Sequence, residues 1–309
     1  MRARNHNLCS LAAITLLALS AGVTPGLAYW NDGIDFNDGN THDFSNGSLS
    51  GGSAVDSANY LNGVEVANNS TVNISGGNIF GGSNFNIAGD GWYAGVMEEV
   101  GTVNISGGSV TGGAVGGSAG HSWLFGANTS GGTLNIYGGT ITGGSVVGTA
   151  GQTWLFGVAT VGGGTINIYG GTISPGSIVG TSSTDFLIGV SVVGGTVNIY
   201  GGNISDGTLN AAPSSFSSTI GVNDGGTVNI AGSAFNYPYG VIGVAAGTLT
   251  GTLADGTPIS WSFIHDLGST INLVPVPEPS APALLVLGGI AFLVVACRKG
   301  VKASVPHIA

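Results

Sequence analysis

The chain has 309 residues, of which 59 are glycine, 42% are hydrophobic and only 6% are charged. Glycine at this level, beside abundant Val, Ile, Thr and Asn, indicates many short strands and tight turns. All five basic residues lie before Asn5 or after Cys297, whereas every acidic residue lies between these positions. This excludes nucleic acid as a partner, because phosphate binding requires Lys or Arg. Cys9 and Cys297 both lie in terminal apolar segments, so the body has no disulfide framework.

The first 28 residues have the pattern of a signal peptide. Arg2 and Arg4 precede the apolar run 8–21, and small residues follow up to Ala28. This order of basic, apolar and small-residue regions predicts cleavage by signal peptidase between Ala28 and Tyr29. The protein is therefore expected to be exported.

A repeat of about 31 residues follows a short N-terminal cap at 29–40. Six copies of a Thr-apolar-Asn-Ile motif begin at Thr71, Thr102, Thr133, Thr165, Thr196 and Thr227, and a degenerate copy begins at Thr41. Self-similarity at such a period is typical of solenoids. We predict an all-β fold, a right-handed parallel β-helix of about seven 31-residue coils over 41–239.

Each copy contains three strand-like pieces separated by glycine. In the first, Val72 and Ile74 alternate with Thr71 and Asn73, so the apolar pair points inward and the polar pair outward. One coil cannot bury its apolar face alone, but stacked coils share a continuous core. The Thr and Asn positions should then form ladders along the stack. A β-propeller is the alternative, although its blades need about 40–50 residues each.

The period breaks after the array. Residues 240–273 are predicted to form a C-terminal cap in which Asp255 and Gly256 make a hairpin turn. A Pro-rich linker, 274–280, leads to a single transmembrane helix with its basic flank at 281–299 and a cytoplasmic tail at 300–309. Arg298 and Lys299 act as the membrane stop, and their charge places the body outside the membrane.

The linker, apolar run and basic flank together resemble the PEP-CTERM sorting domain, with Pro277, Glu278 and Pro279 as the motif residues. The resemblance covers only about 276–299. It implies recognition and cleavage by an exosortase, and a setting in the exopolysaccharide envelope or biofilm of a bacterium. The chain departs from the family pattern because it continues to Ala309 after one Arg and one Lys. The alternative is an ordinary membrane anchor.

No catalytic site is predicted, although β-helices include polysaccharide lyases and hydrolases. A lyase needs a base beside a bound carboxylate, and the body offers no Lys or Arg. A hydrolase needs two carboxyl groups about 5–10 Å apart. Glu98 and Glu99 form an isolated pair that we interpret as a solvated acidic turn, and Asp185, Asp206 and Asp224 occupy different repeat phases.

Metal binding and cofactors are likewise not predicted. Oxygen ligands in a calcium site need a defined loop pattern, and the acidic cluster near the N-terminus lacks one; we interpret it as a solvated cap. Its members are Asp32, Asp35, Asp38 and Asp43. The histidines share no repeat phase and are not expected to bind zinc. They are His42, His121 and His265.

Tyr137, Tyr169 and Tyr200 share one phase in three consecutive copies and follow the Asn positions. Aromatic faces beside amides suit sugar rings, so this strip is a candidate for contact with exopolysaccharide. The alternative is a stacking ladder that stabilises a coil edge. Trp123 and Trp154 are expected in the core. The sequence thus favours a noncatalytic structural or adhesive surface protein over a glycan-binding module or a polysaccharide-degrading enzyme.

Overall fold

The computed structural model describes residues 29–30, 33–52, 58–85, 90–117, 121–148, 151–180, 185–210 and 215–276. The chain divides into a first unit, Met1–Val274, and a second unit, Pro275–Ala309. Of the second unit only Pro275 and Val276 are described. The described residues of the first unit form strands and turns, with no helix.

The strands follow one another in layers. The first layer holds β1 (Tyr29–Trp30), β2 (Ile34–Phe36), β3 (Thr41–Phe44) and β4 (Ser48–Ser50). The second and third hold β5 (Ala58–Val66), β6 (Ser70–Ile74), β7 (Asn78–Phe80), β8 (Ser83–Phe85), β9 (Asp90–Glu98), β10 (Gly101–Ile105), β11 (Ser109–Thr111) and β12 (Ala114–Gly117). The fourth and fifth hold β13 (Ser122–Thr129), β14 (Thr133–Ile136), β15 (Thr140–Thr142), β16 (Ser145–Gly148), β17 (Thr153–Val161), β18 (Thr165–Ile168), β19 (Thr172–Ser174) and β20 (Ser177–Gly180). The last described layers hold β21 (Asp185–Val193), β22 (Thr196–Ile199), β23 (Asn203–Ile204), β24 (Thr208–Asn210), β25 (Phe216–Asn223), β26 (Thr227–Ser233), β27 (Gly240–Val241), β28 (Ala246–Leu253), β29 (Pro258–His265) and β30 (Thr270–Pro275).

The layers stack as a parallel β-solenoid of about six turns. The seven strands that carry the repeat motif, here called the Thr-Asn strands, pair with one another in register, so that Thr102 lies between Thr71 and Thr133. The pairing extends from β3 to β26. The predicted parallel solenoid is confirmed, and seven motif copies correspond to six steps between neighbouring strands.

Each complete turn contains four strands rather than the three expected from the sequence. The unexpected one follows the Gly-Gly pair after the second strand, as in Ser145–Gly148, and these strands form a sheet of their own in the order β24-β20-β16-β12-β8. The second strands form another sheet, from β23 to β4. The strands preceding the motif, here called the long strands, join the Thr-Asn strands in the largest sheet.

Five of the seven motif copies end in a Gly-Gly pair, which lies in the turn between the Thr-Asn strand and the second sheet. A Cβ at Gly138 would lie 2.8 Å from the carbonyl oxygen of Ser106 in the preceding turn. Its neighbour Gly139 has a φ of 86°, in the left-handed region. The first glycine therefore allows close stacking of the turns, and the second allows the chain to reverse direction.

The interior contains two continuous apolar columns. Val and Ile from the Thr-Asn strands, the long strands and the second sheet form the larger one, in which Ile136 and Ile141 are fully buried. Leu124 and its equivalents pack against Val146 and the third sheet in the smaller one. Burying each such side chain contributes roughly 1.5–3 kcal/mol, which no single turn would gain alone.

A third apolar cluster lies on the other side of the long strands, and all its members belong to these strands. Trp123 and Trp154 are buried here, and their rings stack with centroids 4.8 Å apart. They alternate along the strand with the interior residues Leu124 and Leu155. The tryptophans are therefore buried as expected, but outside the solenoid interior.

The C-terminal part contains the expected hairpin, because β28 and β29 pair antiparallel around Asp255 and Gly256. It also continues the stack, which the sequence analysis did not anticipate. β29 pairs in parallel with the long strand β25, and the Thr270 N–H donates to the Gly226 carbonyl as Thr227 donates to Gly195. The segment Thr-Ile-Asn-Leu at 270–273 is thus a further motif copy after an insertion.

The predicted transmembrane helix at 281–299 and its cytoplasmic tail lie outside the described residues, as does most of the linker. In the part of the chain that the structure describes, no helix is long and apolar enough to cross a membrane.

Candidate interaction surface

The outward side of the Thr-Asn strands forms a polar surface with three parallel columns of side chains. In the fourth layer these columns are represented by Thr133, Asn135 and Tyr137, which alternate with the buried Leu134 and Ile136. Strand alternation and in-register pairing repeat this order from turn to turn. We call this surface the Thr-Asn-Tyr face.

Its middle column is a ladder of amide hydrogen bonds. Asn135 donates through Nδ2 to Oδ1 of Asn104 at 2.9 Å, and each amide in the column donates in the same direction. The ladder runs through Asp43, Asn73, Asn104, Asn135, Asn167, Asn198, Asn229 and Asn272 with bonds of 2.8–3.1 Å. The predicted Asn ladder is confirmed, and it extends to Asn272 in the C-terminal part. Each inner amide keeps a second N–H for solvent or a ligand.

Tyr137, Tyr169 and Tyr200 occupy three consecutive positions of the third column, between Ser106 and Ala231. Their side chains are 54%, 41% and 37% exposed. Successive rings stack with centroids 5.0 Å apart and planes within 6° of parallel. The structure therefore brings the three predicted residues together in one exposed stack.

The stack leaves ring edges and hydroxyl groups at the surface. A centroid spacing of 5.0 Å leaves no room for a sugar ring between neighbouring tyrosines. Partial burial and the adjacent Tyr200 and Tyr137 raise the pKa of the Tyr169 hydroxyl above its ordinary value. A tyrosine hydroxyl is protonated at neutral pH even without this shift and can donate a hydrogen bond. A glycan would bind by hydrogen bonds along the column or stack on its end faces.

The acidic pair Glu98 and Glu99 is not the solvated turn that the sequence suggested, because Glu98 is fully buried. Its Oε2 accepts hydrogen bonds from the Thr129 hydroxyl and from the Gly132 N–H, whereas Oε1 has no hydrogen-bond partner. Burial raises the pKa of this carboxyl, although the hydrogen bonds from Thr129 and Gly132 oppose the shift. Glu98 is the last residue of the long strand β9 rather than part of a loop, and it occupies the inward column that holds Val66 and Thr129 in adjacent turns.

The other carboxylates examined for catalysis are dispersed. Asp185 is buried and accepts from the Ser215 hydroxyl at 3.2 Å, whereas Asp206 is exposed and follows the second-sheet strand β23. Burial, together with the nearby Asp266, raises the pKa of Asp224. No hydrogen bond joins Asp185, Asp206 and Asp224 to one another among the described residues, and they do not form a common site.

Of the N-terminal aspartates, Asp35, Asp38 and Asp43 each bond to a different partner. Asp35 accepts from Asn37, and Asp43 accepts from Asn73 as the first member of the ladder. Hydrogen bonds from Asn40 and His42 lower the pKa of Asp38. Asp32 lies outside the described residues. Among the described residues there is no group of three or more potential metal ligands.

The histidines are far apart in the fold. His42 bonds to Asp38 at 2.8 Å, His121 bonds to Asp90 at 2.8 Å, and His265 contacts the Val244 carbonyl. Each therefore has its own local partner.

The predicted processing sites fall largely outside the described residues. Tyr29, the expected new N-terminus, begins β1, whereas Ala28 is not described. The sorting-motif residues Pro277, Glu278 and Pro279 and the membrane-stop residues Arg298 and Lys299 also lie outside. Comparison of the sequence with family models, curated proteins and solved structures gave no match.

Proposed function

We propose that this protein is an exported, noncatalytic structural or adhesive component of a bacterial cell envelope or matrix, held by its C-terminal apolar segment until an exosortase processes it. The proposal rests above all on the Thr-Asn-Tyr face. A surface of uncharged hydrogen-bonding side chains, repeated in register over the whole stack, suits repeated weak contacts along a polymer rather than one reaction at one position.

The distribution of charge supports the same function. The body carries no Lys or Arg. The outward side chains of its inner turns are the uncharged Thr and Asn, so this surface does not bind counterions as a charged surface would. An uncharged polar face beside acidic ends is compatible with neutral polysaccharide and disfavours anionic polymers. Envelope placement and exosortase processing are supported by the signal-peptide pattern and the tripartite tail.

Intact mass spectrometry of the protein from cells with and without the candidate exosortase tests the sorting part. We expect a species that starts at Tyr29 and ends near Pro279, and that disappears when the protease is absent. A protein that retains residues 283–309 in both strains would instead be a permanently anchored membrane protein, and the exosortase part of the proposal would be rejected.

Glycan binding is a second candidate function, favoured by the exposed tyrosine stack. The triple variant Tyr137→Ala, Tyr169→Ala, Tyr200→Ala should lose retention on the exopolysaccharide of the producing cell if the stack binds it. Tyr239→Ala is the matched control, because Tyr239 is 53% exposed and lies outside the column. Equal retention of the triple variant, the control and the wild type would reject the tyrosine site.

A further inference from the structure

The two ends of the solenoid differ in how their strand edges are paired. At the C-terminal end, β28 covers β29 over seven residue pairs, and β27 pairs with β30. At the N-terminal end, β3 pairs only with β6 among the described strands, and β2 and β4 likewise have one neighbour each. In the part of the chain that the structure describes, the first layer is therefore an open edge of a parallel sheet stack.

The backbone of β3 confirms which groups face this edge. The Asn40 carbonyl accepts from the Thr71 N–H on β6 at 2.8 Å. In a planar trans peptide the N–H points opposite to the C=O, so the Thr41 N–H points away from β6. The core is also less covered here, because Phe44 is only half-buried whereas its equivalent Ile74 is buried. Unpaired backbone groups beside incompletely buried apolar side chains are the features that recruit a further strand.

The sequence of β3 matches the strands that already pair within the chain. Thr41 aligns with Thr71, and Phe44 aligns with Ile74. The outward position of the ladder differs, because it holds Asp43 where every later strand holds Asn. Asn at this position would present a free N–H at the open edge, whereas the Asp43 carboxylate presents only acceptors and a negative charge.

We propose that the open N-terminal edge is a pairing surface for a second copy of this chain, and that the Asp43 carboxylate weakens that pairing. The cap at the other end leaves head-to-head association as the available arrangement. Two identical edges then meet around a two-fold axis, with their β3 strands antiparallel. In the register that places Asp43 opposite its counterpart the two carboxylates face each other, and Asp35 adds a second exposed carboxylate to each edge. Like charges facing each other across paired strands are destabilising.

The test is the self-association of the full-length chain, measured by sedimentation. We expect Asp43→Asn to form dimers with an association constant at least about tenfold above that of the wild type, a difference of about 1.4 kcal/mol. Asp206→Asn removes the same charge from an exposed site away from the edge, and should behave as the wild type.

A second substitution tests the location of the contact. Thr41→Pro removes the N–H that faces the open edge while the Asn40 carbonyl remains bonded to β6. The double variant Thr41→Pro, Asp43→Asn should therefore return to the wild-type association constant, with circular dichroism confirming that it is folded. Three results would overturn the proposal: Asp43→Asn associating no more than the wild type, dimers that survive Thr41→Pro, or an equal effect of Asp206→Asn.

Discussion

At the scale of single residues, the stacking of the turns depends on the glycines of the repeat motif as much as on its apolar positions. The first glycine of the pair packs against the preceding turn, as the 2.8 Å approach of a Cβ at Gly138 to the Ser106 carbonyl shows. A Cβ there must push two stacked turns apart, because the contact is with backbone rather than with a flexible side chain. The glycine pair therefore determines how closely the turns stack.

Gly138→Ala should lower the free energy of unfolding by about 1–3 kcal/mol, the usual cost of inserting a methyl group into a tightly packed site. Gly243→Ala is the matched control. It has open space around the added Cβ and no left-handed φ, so it should be neutral or stabilising by up to about 1 kcal/mol. Chemical denaturation measures both, and equal effects of the two variants would show that stacking does not require the motif glycine.

The buried Glu98 gives a stability that depends on pH. Its pKa is raised in the folded state, so the folded protein favours the neutral carboxyl, and stability falls as the pH rises above the ordinary glutamate range. Glu98→Gln removes this titration. We expect the variant to be more stable than the wild type by about 1 kcal/mol at pH 7, with the difference shrinking near pH 4.

Glu99→Gln provides the comparison, because Glu99 is the adjacent, half-exposed carboxyl. Thermal unfolding of the three proteins across this pH range separates the two positions. A stability difference between Glu98→Gln and the wild type that stays constant with pH would indicate that Glu98 does not titrate in the folded protein as inferred.

At the scale of strands, the sequence predicted the pairing of the Thr-Asn strands well and the rest of each turn less well. The motif reveals its register because Thr, Asn and Ile recur together, whereas Ser145–Gly148 offers a single inward apolar residue, Val146, in four positions. So short a segment has no detectable alternation, and the third sheet was missed. Asn272 was missed because the insertion places it 43 residues after Asn229, outside the 31-residue period.

The candidate site was likewise predictable where the repeat determines a residue's position and unpredictable where side-chain packing does. The phase of the three tyrosines was readable from the repeat, so their grouping was predictable. The direction of their ring faces was not, because it depends on side-chain packing between turns. The burial of Glu98 was also hidden, since the long strands bury residues on both sides and their inward column is not marked by alternation.

The amide ladder should contribute measurably to the pairing of these strands. Asn135→Ala leaves Oδ1 of Asn104 without its donor and Nδ2 of Asn167 without its acceptor. We expect a loss of about 1–2 kcal/mol in the free energy of unfolding. Asn203→Ala, at an exposed position of the second sheet, should change it by less than about 0.5 kcal/mol. A loss at Asn135 no larger than at Asn203 would mean that the ladder follows from the stacking without stabilising it.

At the scale of the whole molecule, the solenoid is a one-dimensional stack in which each turn contacts its neighbours. Removal of residues 133–164 deletes one complete turn and joins Gly132 directly to Thr165. The remaining columns stay in phase, because Asn104 then meets Asn167 and Leu124 meets Leu187. We expect a folded protein with a cooperative transition and a lower, but still positive, free energy of unfolding.

Deletion of residues 133–148 alone removes only part of a turn and is the matched control. The deletion removes β14, β15 and β16, so Gly132 is followed directly by the segment that leads into β17, where a Thr-Asn strand is required. The inward and outward columns then no longer align. We expect aggregation or loss of the β-sheet signal. Far-UV circular dichroism and thermal unfolding distinguish the two. If the whole-turn deletion fails in the same way as the partial one, individual turns are not interchangeable units, and stability must depend on contacts specific to this turn rather than on repeated nearest-neighbour pairing.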